Sequence, residues 1–238
     1  MRFPGPIETA LGLLYPRICI VCQNNLTTDT WLCGSCIEKL ALNHAGRDAC
    51  PLCGQNRRVR RCTCEYHWQQ PFEAAYSLFD FDDTIQSIVH EFKYGGIKRL
   101  AFDMGKTYAG LFPSQVFEGM DAITAVPLFF FRFLKRGYNQ AEYFAKGLAA
   151  GVNGIGYLPD ILFRKRHTKT QTKLSRSRRL TNVAGAFTVF PGKKKLLWGK
   201  NIIIVDDIIT TAATTAECAR ALMDAGCGKI RVLSLARD

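Results

Sequence analysis

From residue 72 onward two hydrophobic periods alternate along the chain. Short apolar runs predict strands over 74–81, 122–126, 186–190, 201–205 and 229–235, and between them the apolar positions repeat at helical spacing. In 84–92, for example, Ile85, Ile88, Val89 and Phe92 share one helical face, and Gly95 with Gly96 marks its end. Further helices are expected over 98–111, over 139–150 ahead of glycines 151, 154 and 156, and over 214–224, closed by Gly226. Strands that alternate with helices predict an α/β sheet with helices packed on it. Residues 1–70 lack this alternation, and the pattern changes at Gln70 and Pro71. A length of 238 residues suits one sizeable α/β core plus a small module, so two units are expected, 1–70 and 71–238.

The small unit announces itself by its cysteines. Eight of the ten fall in the first 64 residues, as Cys19-x-x-Cys22, Cys33-x-x-Cys36, Cys50-x-x-Cys53 and Cys62-x-Cys64. Two thiolates two residues apart bracket one tight turn and reach the same ion, and two such knuckles complete a tetrahedral zinc site. Eight ligands imply two zinc ions. The alternative is a disulfide framework, which belongs to exported chains. Arg2, Pro4, Pro6 and Glu8 leave no apolar stretch for a secretory signal, so zinc and a cytoplasmic setting are expected. Pairing in sequence order closes short loops, whereas a cross-braced pairing would interleave them, and the spacing leaves both open. With few apolar residues of its own, such a module draws its folding free energy from the metal. Cys218 and Cys227 stand in apolar surroundings and suit burial.

Charge is just as uneven. No Asp or Glu occurs between Asp160 and Asp206, while that stretch holds twelve of the 32 Lys and Arg residues; the other 20 offset the 20 acids, so the whole net charge of +12 resides there. Such a field suits a polyanion, either a nucleic-acid backbone or a small ligand with several phosphates; a solvated basic loop is the plainer alternative. The longest apolar run, 122–131, is interrupted by Pro127 and closed by Arg132, too short to span a bilayer, so no membrane insertion is expected.

Candidate chemistry concentrates in Ile202-Ile203-Ile204-Val205-Asp206-Asp207-Ile208-Ile209-Thr210-Thr211-Ala212-Ala213-Thr214. A buried parallel strand delivers its carboxyl end to the ligand crevice, where adjacent carboxylates can accept hydrogen bonds from a cis-diol such as ribose. The hydroxyls and small residues that follow open a helix, whose first N–H groups cradle a phosphate. Acids for a sugar, then a loop for its phosphate, describe a 5-phosphoribose site.

That run resembles the phosphoribosyl pyrophosphate (PRPP) motif of type I phosphoribosyltransferases, and the whole layout resembles the ComF family of competence-associated proteins. The likeness extends over the cysteine knuckles, Phe92-Lys93-Tyr94-Gly95, Val126-Pro127-Leu128, Lys135-Arg136-Gly137-Tyr138-Asn139-Gln140, Gln171 with Leu174 and Ser175, Arg179 with Asn182, Gly185-Ala186-Phe187 and Leu235-Ala236-Arg237. It implies a phosphoribosyltransferase-like parallel sheet flanked by helices, preceded by a double zinc ribbon. By that resemblance Asp206 and Asp207 hold the ribose hydroxyls, and Thr210, Thr211, Ala212, Ala213 and Thr214 the 5-phosphate. Val126 and Pro127 lead into a pyrophosphate loop with Arg132, Lys135 and Arg136 as its cations. Arg164, Lys165, Arg166, Lys169, Gln171 and Arg179 belong to a mobile lid or a nucleic-acid contact, and Mg²⁺ accompanies the pyrophosphate.

Two departures from the family pattern stand out. Ala212 replaces the usual glycine of the phosphate loop, and its methyl disfavours positive φ. Phe129, Phe130 and Phe131 sit where relatives carry His or basic residues; core or interface burial is their simplest expected fate, and stacking on a base is the alternative. Three functions remain in play: a PRPP-binding protein acting in DNA uptake, its ribbons docking a competence helicase; a working phosphoribosyltransferase, for which Thr210 leaves no evident general base; and a zinc-ribbon adaptor for single-stranded DNA with a vestigial sugar-phosphate site.

Overall fold

The computed structural model describes residues 17–26, 30–40, 50, 54–58, 62, 70–165 and 183–238. In the small unit a short helix α1, Gly34–Glu38, starts within the second cysteine knuckle, with Cys33 as its N-cap and Cys36 on it. The large unit then runs β1 Ala74–Asp80, α2 Asp83–Tyr94, α3 Lys98–Tyr108, β2 Ala122–Ala125, α4 Phe130–Arg136, α5 Gln140–Gly151, β3 Gly156–Tyr157, β4 Leu162–Arg164, β5 Phe187–Val189, α6 Lys194–Leu197, β6 Ile202–Ile209, α7 Ala213–Met223 and β7 Ile230–Arg237. Five strands form one sheet in the order β1-β7-β6-β2-β3, and every pairing is parallel. β6 is its central strand.

Burial on both faces explains why β6 reads as an unbroken apolar run rather than an alternation. Ile203 and Val205 enter a core with α2, α3 and α5, while Ile202 and Ile204 enter a second core with α7. α2 buries Ile85, Ile88, Val89 and Phe92, and the Asp82 carboxylate caps it by accepting the Ile85 N–H at 2.8 Å. α3 and α5 approach closely through Gly105 and Gly147, where any added Cβ would strike the opposing backbone.

Two strands differ from expectation. β6 continues four residues past Val205, through both aspartates, because Asp206, Ile208 and Ile209 keep register with Ser234, Ala236 and Arg237 of β7. The expected strand at 186–190 forms as β5, but it pairs antiparallel with β4 in a separate two-stranded ribbon.

The small unit rests on the α/β core. Cys19, Leu32, Cys36 and Leu40 join the cluster of Phe79, Phe92 and Leu100. The Trp31 indole N–H donates to Asp103 at 3.0 Å, and Asn56 donates to Asp80 at 2.9 Å. Gly54, at φ +69, lies where a Cβ would come within 2.5 Å of the Ala75 carbonyl oxygen. Among the described residues no helix is long and apolar enough to cross a membrane.

Candidate functional site

The carboxyl ends of β6 and β2 open into a cleft of about 670 Å³. Asp206, Asp207 and the whole 210–214 loop line it on one side, and Val126, Pro127, Arg132, Lys135 and Arg136 line it on another. Residues expected to act together, up to 88 positions apart in sequence between Val126 and Thr214, thus share one cavity. Arg164, at the end of β4, also faces it, whereas Lys165 lies exposed beyond the strand. Arg166, Lys169, Gln171 and Arg179 lie outside the described residues. The acid-free stretch therefore divides: Arg164 reaches the cleft, while Lys193, Lys194, Lys195 and Lys200 precede β6 at the opposite end of the sheet, Lys200 pairing with Asp121 at 3.2 Å.

The two aspartates are not equivalent. Asp207 is 7% exposed; its carboxylate takes an ion pair from Lys93 of α2 at 3.0 Å and a hydrogen bond from Gln140 of α5 at 3.1 Å. Burial alone would raise its pKa, but Lys93 and the hydrogen bonds to the carboxylate outweigh it and hold the group down to about 2. Asp206 accepts the Asp207 backbone N–H at 2.9 Å; among the described residues no ion pair reaches its carboxylate, and the Lys93 charge acts on it more weakly than burial and Asp207 do. Burial, with the neighbouring Asp207 charge second, pushes Asp206 well above the usual carboxylate range. The two carboxylates are thus driven apart in pKa, Asp207 downward by its cation and Asp206 upward by burial and its charged neighbour.

The loop after β6 turns sharply at Ala212, which adopts left-handed φ 58, ψ 9 immediately before α7. Its methyl does not prevent the turn. The backbone carbonyl of Ala212 accepts the Thr215 hydroxyl at 3.0 Å and the Ala216 N–H at 2.8 Å, which fixes the first turn of α7. The leading N–H groups of a helix have no intrahelical acceptor, so this turn presents donors to an anion in the cleft. A left-handed alanine costs about 1–2 kcal/mol relative to glycine. Ala212→Gly is accordingly expected to hold or raise the thermal midpoint and to tighten inorganic phosphate several-fold by calorimetry. Weaker phosphate binding would show instead that the methyl is a contact.

Across the cleft, the segment expected as a loop contains helix α4. Phe130 and Phe131 on it are 63% and 67% exposed, so these two rings are not part of the core of the chain. Asn139 ties this wall down, donating to the Val126 carbonyl at 2.9 Å and accepting the Ala141 N–H at 3.2 Å as the cap of α5. Arg136 donates to Gln140 at 3.1 Å and lies over the Tyr94 ring at 5.4 Å, so a chain of contacts runs from Arg136 through Gln140 to Asp207 and Lys93. The Arg164 guanidinium packs over Phe187 at 5.2 Å, and burial, then the Arg132 charge, lowers its pKa. Lys93 and Gln140 had entered the sequence reading only as parts of matching motifs. The lysine ending an amphipathic helix just before Gly95-Gly96 was the available signal.

In the small unit Cys19, Cys22, Cys33 and Cys36 bring their sulfurs within 4.8 Å of one another, with Cys22 and Cys33 3.5 Å apart. Four thiolates around zinc at about 2.3 Å stand about 3.8 Å apart, so the set fits the ion. The Cys33 N–H donates to Cys19 Sγ at 3.4 Å, a contact typical of a metal-binding knuckle. Burial, and then the surrounding thiols, pushes Cys36 up to about 12 without metal, a repulsion that a dication relieves. Cys50 is buried and Cys62 half-buried; Cys53 and Cys64, needed for the second set, lie outside the described residues.

The chain thus joins a cysteine-rich ribbon to a parallel sheet flanked by helices, with an acidic pair and a sharp turn at the carboxyl end of its central strand, both lining one cleft. Residues 10–70 match the double zinc ribbon domain family. The chain is 27% identical over 232 residues to the DNA utilization protein YhgH of Salmonella typhimurium, covering 94% of this chain and 99% of that one. It is also 27% identical to competence protein F of Haemophilus influenzae (92% and 96% covered) and to competence protein ComFC of Bacillus subtilis (90% and 92%). The chain is thus similar along nearly its whole length to proteins named for DNA utilization and for competence. Among solved structures, a glutamine PRPP amidotransferase from B. subtilis with ADP and GMP aligns at TM-score 0.40 and 19% identity, over 61% of this chain and 30% of its own. A structure titled as the allosteric regulatory enzyme of purine biosynthesis aligns at 0.41 and 20%, with the same coverage.

Proposed function

We infer that the chain is a ComF-type PRPP-binding protein that acts in the handling of incoming DNA, with a zinc-ribbon unit over 1–70 and the PRPP-binding unit over 71–238. The observation that carries this is the convergence of Asp206, Asp207, the 210–214 turn and three α4 cations on one cleft. Asp206 and Asp207 take the ribose hydroxyls, the turn before α7 takes the 5-phosphate, and Arg132, Lys135 and Arg136 face the pyrophosphate. Mg²⁺ enters with the pyrophosphate oxygens, as a hard cation does. The names of the relatives, DNA utilization and competence proteins, support the DNA-linked role.

The test is a thermal shift. PRPP with Mg²⁺ is expected to raise the midpoint of the zinc-loaded chain, by about 2.7 kcal/mol of added stability at a hundredfold excess over Kd. Ribose 5-phosphate should give a smaller shift, because the α4 cations then have no partner. A midpoint unmoved by PRPP at millimolar concentration would remove the sugar-phosphate site from the account.

A further inference from the structure

Helix α4 is built inside out. A surface helix ordinarily turns its apolar side toward the core, yet none of the seven residues of α4 is buried. Phe130, Phe131, Phe133 and Leu134 are 63%, 67%, 44% and 60% exposed, while Arg132, Lys135 and Arg136 line the cleft and its lip. Contiguous exposed apolar surface of this kind marks a contact site on a soluble chain.

The surrounding charge says what covers it. No Asp or Glu occurs between Asp121 and Glu142. Among the described residues neither Arg132 nor Lys135 forms an ion pair, and Arg132 faces a further cation, Arg164. A second copy of the chain would set these cations against themselves with no acid to answer them. Single-stranded nucleic acid alternates what α4 alternates: flat apolar faces and phosphate charges. The rings are also placed for it. Phe130 and Phe131 stand 5.9 Å apart at 66°, an edge-on arrangement in which neither ring lies flat on the other.

We propose that α4 is a stacking platform for single-stranded nucleic acid on the outer wall of the cleft, Phe130 and Phe131 taking bases while Arg132 and Lys135 take the adjoining phosphates. Neither phenylalanine lines the cleft, so the ring contacts are separate from the ribose site, while Arg132 and Lys135 border both.

Fluorescence anisotropy of the full zinc-loaded chain with labelled oligothymidylate and oligouridylate of about 20 nucleotides tests it, the two arms separating DNA from RNA. Phe130→Ala with Phe131→Ala is expected to raise Kd about tenfold or more with little change in salt slope. Phe130→Leu with Phe131→Leu, which keeps apolar bulk but loses the flat ring, should also weaken binding several-fold. Arg132→Gln with Lys135→Gln should flatten the salt slope by about 1.4, from about 0.7 per phosphate contact. Trp198, 79% exposed after the Lys193 to Lys195 run at the far end of the sheet, is the control, and Trp198→Ala should leave Kd in place. An unchanged Kd in the double alanine variant, with its thermal midpoint intact, overturns the proposal. So does full binding by the leucine variant, which would make α4 an apolar face for a protein partner, or an equal loss in Trp198→Ala. The PRPP shift, measured on the two phenylalanine variants and on Trp198→Ala and expected to persist there, reports the ribose site separately; Arg132→Gln with Lys135→Gln is expected to reduce it, because both cations also face the cleft.

Discussion

Stripping zinc from the protein is expected to lower its thermal midpoint by about 10 °C or more and to expose part of the α/β core. The four clustered sulfurs hold the first knuckles together, and helix α1 between Cys33 and Lys39 is too short to persist alone. Structural zinc contributes about 10–16 kcal/mol of apparent binding free energy in isolated ribbons, more than so small a unit gains by burying apolar surface. The consequence reaches the large unit because the two share a core. Leu32, Leu40 and Cys36 pack with Phe79, Phe92 and Leu100, and Asp103 loses the Trp31 indole when the ribbon opens. At about 2–4 °C per kcal/mol for a chain of this size, a loss of 3–5 kcal/mol at that interface accounts for the shift. Cys36→Ser should remove one zinc equivalent by elemental analysis and reproduce most of the destabilisation, with the Cys50, Cys53, Cys62 and Cys64 set keeping a second. A metal-free chain that melts where the loaded one does would show that the sulfur cluster holds no structural ion.

How much of this was legible in the sequence differs from element to element. The helix over 84–92 could be read because its four apolar residues fall on one face and Asp82 caps it, so local and tertiary preferences agree. The site on β6 was legible because a buried strand, two acids and a small-residue turn lie consecutively in the chain. The length of β6 was not: acids usually end a strand, but β7 stays paired through Arg237 and carries β6 with it. α4 was expected as a loop because the resemblance places a pyrophosphate loop there, although Phe130, Phe133 and Leu134 stand at helical spacing. The partners of Asp207 escaped for a different reason. Gln140 lies 67 residues from it in sequence, and only the packing of α2 and α5 against β6 brings Lys93 and Gln140 to the same carboxylate.

Asp206→Asn is expected to stabilise the unliganded protein at pH 8 and to weaken PRPP about tenfold or more. The sign follows from the two carboxylates. Asp207 has a folded pKa depressed to about 2, so its contribution is present above the unfolded value near 3.8 and is lost as pH falls through about 2. Asp206 has a raised folded pKa, so its contribution is complete below 3.8 and fades as pH climbs through that raised value. The unliganded chain should therefore be more stable at pH 5 than at pH 8 on this account, and asparagine, which cannot ionise, should flatten that slope. Lys93→Met should act in the opposite direction, lowering the midpoint, because it leaves the Asp207 carboxylate buried without its cation. The ligand reverses the balance at Asp206. A ribose hydroxyl donates best to an ionised acceptor, and a hydrogen bond to a charged group contributes about 1.5–3 kcal/mol, or tenfold and more in affinity. PRPP affinity should therefore rise more steeply between pH 5 and pH 8 in the native chain than in Asp206→Asn, where only the ligand's own phosphates, with a second pKa of about 6, titrate. Calorimetric titrations at both pH values decide it: equal affinities in the native chain, or an unliganded variant that melts lower at pH 8, would mean that Asp206 is not the strained partner of the pair.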